Sequence, residues 1–311
     1  MNKFLLIFII GIFFFGKADA SNTKLIRGNS YEDQIKWKFI KFNLPTGKWI
    51  YYGKSAWNVA HFHGNCAYLI SVDEKKIKGH IEICNVDSGG KLRGIFGAFL
   101  QGELKNNKYG LCSFRPEFFY SKFIFRGAST NCFITRYIDL KKSLNNPDDT
   151  SSNTSVNTAK IKKYIKDNDL IIPISLLQSE SFYFSNRRDR AYSVSIAINP
   201  ELYGAPRSDN GNLNTSEYNH ENIDKHPANK KFMIGWTKEM SIEHKYLEKQ
   251  MGSSKEFELD FSDISLISYN NKPTKNEKTD LIEQIKELSE LFESGAITKE
   301  EFEKAKKIIL D

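Results

Sequence analysis

The chain has 311 residues, 40% of them hydrophobic and 27% charged, with a formal net charge of +7. That length allows one large domain or two ordinary ones. Past the N-terminus no run is long and apolar enough to span a bilayer as a helix, which excludes a polytopic helical membrane protein.

The chain opens on Met1-Asn2-Lys3, a nearly continuous apolar run from Phe4 to Phe15, and Ala18-Asp19-Ala20. A basic start, a short apolar run and an Ala-x-Ala end predict a signal peptide over residues 1–20, cut after Ala20. The run is about a dozen residues, short of the ~20 of a spanning helix. No cysteine follows it, so a lipoprotein cleavage box is absent. The expected location is the periplasm or the exterior, with an uncleaved N-terminal anchor as the alternative.

Residues 21–144 read as a β-rich region. Aromatic and β-branched residues recur in short runs broken by Gly, Asn and Asp. A strand over Ala60–Ile70 would set Phe62, Cys66, Tyr68 and Ile70 on one face and His61 and His63 on the other. A second strand over Lys76–Val86 would align His80, Glu82 and Cys84. Tyr120–Phe125 and Cys132–Leu140 are the third and fourth predicted strands. Gly89, Gly90, Gly94, Gly97 and Gly102 read as turns and bulges, since no Gly-Lys-Ser/Thr closes a phosphate loop.

All four cysteines, Cys66, Cys84, Cys112 and Cys132, lie in this region. An even count in an exported chain predicts two disulfides. Three pairings are open, and proximity in sequence favours Cys66 with Cys84 and Cys112 with Cys132. Each loop of about 20 residues would add roughly 3 kcal/mol. His61, His63, His80 and Glu82 are the metal-ligand candidates, but their spacing matches no familiar ligand set and Cys84 suits a disulfide better. Neither a metal nor a cofactor is expected.

Residues 145–158, rich in Ser, Thr, Asn and Asp, read as a polar linker or loop. Residues 159–269 form an α+β region: a helix over Ala159–Lys166, strands over Leu170–Leu177, Ser181–Ser185 and Ala191–Ile198, and a long loop from Pro200 to His226. The turn carrying Arg187, Arg188 and Arg190 is a candidate grip for a phosphate or carboxylate, or else an exposed hairpin tip. His220, Glu221, Asp224 and His226 cluster in the long loop, yet their order is not the helical His-Glu-x-x-His of a metalloprotease. Pro227 would open a helix running to Met251, with Gly252 past its end. Met233, Trp236, Met240, Leu247 and Met251 give that helix its apolar stripe, near which His244 falls. Residues 270–278 read as a second linker.

Residues 279–310 read as a helical hairpin. Leu281, Ile282, Ile285, Leu288, Leu291 and Phe292 form one stripe, and Gly295 can leave the helix through a left-handed turn. Thr298 and Glu301 make a capping box, and Ile297 and Phe302 sit where a hydrophobic staple would close. Phe302, Ala305, Ile308 and Ile309 form the second stripe. Leu288, Leu291, Gly295, Ile297, Thr298, Glu301, Phe302 and Lys306 together resemble the short C-terminal domain family, SHOCT. Such modules close otherwise unrelated bacterial proteins, and the resemblance implies a role in oligomerisation. A hairpin below about 40 residues without Cys or His needs a partner to stay folded, which points the same way.

Charge divides unevenly along the chain. Thr279–Asp311 carries nine acidic and five basic residues, so it is −4. Lys3, Lys17 and Asp19 give the leader +1, which leaves +10 on the body of a chain at +7. Such a body could meet an anionic surface or polymer, or the acidic tail of another copy.

No Gly-x-Ser-x-Gly and no Cys-x-x-Cys occurs, so no catalytic residue is assigned and the sequence leans away from an enzyme. The expected fold class is α+β: a disulfide-bearing, β-rich body with a few helices, then a C-terminal helical hairpin. The expected function is that of an exported bacterial cell-envelope protein whose hairpin mediates homo-oligomerisation or interaction. Two alternatives stand beside it, a binding module for an anionic envelope surface or polymer and a hydrolase acting on an envelope polymer. Nucleic acid is not an expected partner.

Overall fold

Alternating apolar and polar residues along Phe62–Asp73 and Lys76–Asp87 produce two long antiparallel strands joined by a two-residue turn at Glu74 and Lys75. The structure, a computed structural model, describes residues 25–59, 62–87, 118–126, 129–138, 140, 155–185, 190–206, 215–253 and 257–262, with positions 289, 299, 300, 302, 303 and 306. The chain divides into two units, Met1–Leu266 and Ile267–Asp311.

In chain order the strands of the first unit are β1 (Ser30–Tyr31), β2 (Gln34–Trp37), β3 (Ile40–Asn43), β4 (Trp49–Val59), β5 (Phe62–Asp73), β6 (Lys76–Asp87), β7 (Phe118–Arg126), β8 (Ser129–Ile138), β9 (Leu176–Ser185), β10 (Arg190–Ile198) and β11 (Phe257–Asp260). Its helices are α1 (Ser155–Asp167) and α2 (Pro227–Ser253). Eight strands form one antiparallel sheet in the order β1-β4-β5-β6-β10-β9-β8-β7. A smaller sheet has the order β11-β3-β2, with β11 parallel to β3. The large sheet takes strands from both sides of the polar stretch 145–158: β1 and β4 to β8 precede it, and β9 and β10 follow it.

Register assigns the two faces. On one, Cys66 lies opposite Cys84, Tyr68 opposite Glu82 and Ile70 opposite His80. Helix α1 covers part of this face: Ile161 and Ile165 are buried with Tyr52, Tyr68, Ile70, Ile77 and Leu176. Further across, the same face turns polar. Arg136 donates through Nε to Gln178 Oε1 (2.7 Å), Gln178 donates to Ser195 Oγ (2.5 Å), and the Arg136 guanidinium lies 3.9 Å from Glu180.

The other face carries Leu69, Ile81, Ile83, Val194, Ile196, Phe133 and Tyr137, all buried. Helix α2 packs against β8 and β9, with a 2.8 Å bond between the hydroxyls of Thr237 and Thr135. The predicted stripe of α2 is buried at Met233, Trp236, Met240 and Leu247, and each such side chain is worth about 1.5–3 kcal/mol.

Several element bounds differ from expectation; β5, expected over Ala60–Ile70, is described over Phe62–Asp73. Leu170–Leu177 is not a strand: Asp169 turns with φ 52°, Ile171 makes one bridge to Lys76, and Pro173 cannot donate to a ladder. The strand begins at Leu176 and runs through Ser185, so two expected strands are one. Helix α1 starts at Ser155, inside the stretch expected to be a linker. Helix α2 includes Gly252, which a terminal turn tolerates for about 1 kcal/mol. Strand β8 starts three residues before Cys132 and ends at Ile138. The loop from Pro200 to His226 contains two 3-10 turns, Pro200–Tyr203 and Ile223–Lys225.

Residues 1–20, expected to be a signal peptide, His61, Cys112, the glycines from Gly89 to Gly102, residues 145–154 and residues 270–278, expected to be a linker, lie outside the described residues. Among the described residues no helix is long and apolar enough to cross a membrane.

Candidate functional site

Where β1 stops pairing, β4 bulges: the register shifts between Tyr51 and Gly53, leaving Tyr52 as the extra residue. A bulge at a sheet edge re-aims side chains, and here it turns both tyrosines and Lys54 toward one cleft. The cleft measures 780 Å³ and is lined by Leu25, Arg27, Lys36, Trp37, Lys38, Tyr51, Tyr52, Gly53, Lys54 and Lys163. Its size falls in the range of small-molecule pockets, about 300–1,000 Å³.

Each wall has a local cause. Arg27 is presented by the turn Ile26–Asn29, closed by a 3.1 Å bond from Asn29 N–H to Ile26 C=O, with Gly28 at φ 90°. Gly28 N–H and Asn29 C=O then pair with Tyr51 and fix that turn to β4. Lys38 is the first residue of the two-residue loop between β2 and β3, at φ 56°. That position favours glycine, and a lysine there is strained backbone beside the cleft. Lys163 comes from α1, where its ammonium pairs with Asp167 one turn later at 2.9 Å.

Five cationic side chains line the cleft, and no carboxylate is among the lining residues. Trp37 is also a lining residue, and its Nε1 is buried with no acceptor among the described residues. Tyr51 and Tyr52 are 4% and 1% exposed, so the aromatic wall is fixed. Burial, and then Tyr31, pushes the Tyr51 hydroxyl pKa up, against the pull of nearby Arg27.

The Tyr52 hydroxyl lies 2.7 Å from His80 Nε2. Burial lowers His80 to a pKa of about 4, so the imidazole is neutral at neutral pH. Burial, with Glu82 and Tyr68 behind it, holds the Tyr52 hydroxyl well above its ordinary range. The pair is therefore uncharged, and the cations carry the charge of the cleft.

Among the described metal-ligand candidates, His63 and His80 are not brought together. His63 is opposite Asp87, while His80 is opposite Ile70. Seven residues of strand separate His63 from Ile70, about 23 Å. His80 and Glu82 do share the face with Cys84, as alternation requires. Cys66 and Cys84 form a disulfide. Cys132 is disulfide-bonded as well. In the His220 loop, Asp224 pairs with Lys230 at 2.7 Å and Asn219 caps Glu221 N–H, which are structural uses of those residues.

Arg187 and Arg188 lie outside the described residues, as does the side chain of Arg190, whose backbone starts β10 opposite Asp87. Sequence reasoning missed the cleft because its cations come from four separate elements. The one local signal was Lys36-Trp37-Lys38, an aromatic residue between two lysines at a hairpin end.

In the second unit, Phe302 is helical and half-buried, with Lys306 Nζ 5.8 Å from its ring centroid. Leu281, Ile282, Ile285, Leu288, Leu291, Phe292, Ile297, Ala305, Ile308 and Ile309 lie outside the described residues. The Short C-terminal domain family, SHOCT, matches residues 283–310. The SHOCT segment spans less than a tenth of the chain. No curated protein and no solved structure matches the chain.

Proposed function

We propose that this is an exported binding protein of the bacterial cell envelope, whose basic cleft holds an anionic group of an envelope polymer or surface and whose SHOCT hairpin joins copies of the chain. One observation carries the binding half: five cations line one cleft whose lining includes no carboxylate. The +10 body adds long-range attraction for a polyanion, and clefts of one sign concentrate counter-ions. Export rests on the N-terminal residues 1–20 and association on the SHOCT match, each with the physical arguments given above.

Inorganic polyphosphate and polygalacturonate serve as phosphate and carboxylate probes. The full chain binds at least one of them, with affinity falling as salt rises. The double charge reversal Arg27→Glu/Lys38→Glu abolishes that binding without unfolding the body. Binding unchanged by the double reversal means that the cleft is not the site.

For the hairpin, sedimentation compares the full chain, a truncation after Lys278, and Phe302→Asp. Association of the first and a monomeric state for the other two support the reading. A monomeric full chain overturns it.

A further inference from the structure

We propose that Cys66, Cys84 and Glu82 form a redox-gated site for a thiophilic divalent cation such as Zn²⁺, closed when the two cysteines are a disulfide and opened by reduction. Cys66 and Cys84 face each other across β5 and β6, with Cα atoms 4.1 Å apart. This hairpin does not need the bond for its register. Its ladder runs from His63↔Asp87 to Asp73↔Lys76, and both strands are central in the sheet. Reduction therefore leaves both sulfurs on one face at one rung.

The third ligand is already there. Glu82 is two residues from Cys84 on the same face, and its Oε1 lies 3.1 Å from Cys84 Sγ. A disulfide sulfur has no proton to donate, so in the oxidised state that contact is not a hydrogen bond. Between a thiolate and a carboxylate it becomes a place for a cation. The three ligand atoms all lie within 4.8 Å of one another. Two sulfurs on tetrahedral zinc stand about 3.7 Å apart, given Zn–S bonds of ~2.3 Å, so side-chain rotation closes the set. Cys66 is 5% exposed while Cys84 and Glu82 are half-buried, which gives low dielectric on one side and an entry path on the other. Two thiolates and one carboxylate leave a fourth position for water, the arrangement of an open zinc site and a poor match to magnesium or calcium.

The chemistry balances with a dithiol reductant. The dithiol gives two electrons and two protons to the Cys66–Cys84 bond and leaves as a disulfide. The cation then displaces the two thiol protons to solvent and binds both thiolates and the Glu82 carboxylate.

Cadmium is the probe, because its thiolate charge-transfer band reports sulfur ligation directly. The full chain, reduced by a phosphine under anaerobic conditions, is titrated with Cd²⁺ while circular dichroism follows the fold. Reduced wild type should show a saturable band that is absent from the oxidised protein. Cys66→Ser/Cys84→Ser should lose that band. Glu82→Gln, which keeps the disulfide and folds oxidised, should weaken binding by about tenfold or more once reduced. A band that survives in Cys66→Ser/Cys84→Ser belongs to other cysteines and overturns the proposal. Wild-type affinity in Glu82→Gln overturns it too, as does loss of the fold on reduction.

Discussion

Tyr52 and His80 share a 2.7 Å hydrogen bond that ties the wall of the basic cleft to the centre of the main sheet. Tyr52 is the bulged residue of β4, and His80 is two strands away on β6. Tyr68, between them in the sheet, stacks on both rings at centroid distances of 5.8 and 6.4 Å. A neutral imidazole and a high-pKa phenol form a link that does not change charge near neutral pH.

Removing that link by Tyr52→Phe leaves His80 Nε2 without its hydroxyl in a buried site. The expected loss is about 1–2 kcal/mol, measured as a lower denaturant midpoint at pH 7. His80→Phe alone should cost a similar amount, and the double variant less than the sum, since the two residues touch. Additive costs would show that the bond contributes nothing.

Lys38 sets strain against charge. Its φ of 56° is a left-handed conformation that costs a non-glycine residue about 1–2 kcal/mol. Lys38→Gly should therefore raise stability by about 1 kcal/mol while weakening polyphosphate binding and flattening its salt dependence. A variant that gains stability and binds as before would remove Lys38 from the site.

The long strands were legible because period-two alternation survives wherever one face is less buried than the other. The strands expected over Lys76–Val86 and Cys132–Leu140 overlap the observed Lys76–Asp87 and Ser129–Ile138, and the helix at Pro227 was expected from its apolar stripe. The merger of two expected strands into Leu176–Ser185 was not legible. Glu180 and Gln178 look like a break in an apolar pattern, but they belong to a polar network with Arg136, Ser193 and Ser195 on a sheet face. The cleft was hidden for a different reason. Arg27, Lys38, Lys54 and Lys163 are scattered in sequence, and only the bulge at Tyr52 and the placement of α1 bring them together.

Glu239 makes α2 less stable at neutral pH than it could be. Burial lifts its pKa to about 6 from an ordinary 4.5, and its Oε2 has no partner among the described residues. The folded state therefore holds its proton more tightly than the unfolded chain does. Stability from this group is present below about pH 4.5 and is lost as pH rises through 6. Glu239→Gln should raise stability at pH 7 by about 1 kcal/mol, discounted for its partial solvent contact. The gain should vanish at pH 4, and chemical denaturation at the two pH values reads it directly.

His244 works in the opposite direction on the same helix. It is 4% exposed, stacks on Phe133 at 5.3 Å, and has no partner for either ring nitrogen among the described residues. Burial, and then the Lys122 ammonium on β7, lower its pKa to about 4. The unfolded chain binds a proton near pH 6.5 and the folded protein only near 4, so acid favours unfolding across that window. Stability should fall by about 3 kcal/mol from this residue as pH drops from 7 to 4. His244→Phe keeps an aromatic ring against Phe133 and removes the titration. Its stability relative to wild type should rise steadily below pH 6.5, and the remaining acid sensitivity should carry the contribution of His80, which has the same sign. Lys122→Ala should make the acid-induced loss smaller and end it at a higher pH, since one cause of the lowered folded-state pKa is gone. Denaturant unfolding at pH 7, 6, 5 and 4 separates the three proteins. A pH-independent difference between wild type and His244→Phe would mean that His244 titrates alike in both states and that its burial is not maintained in solution.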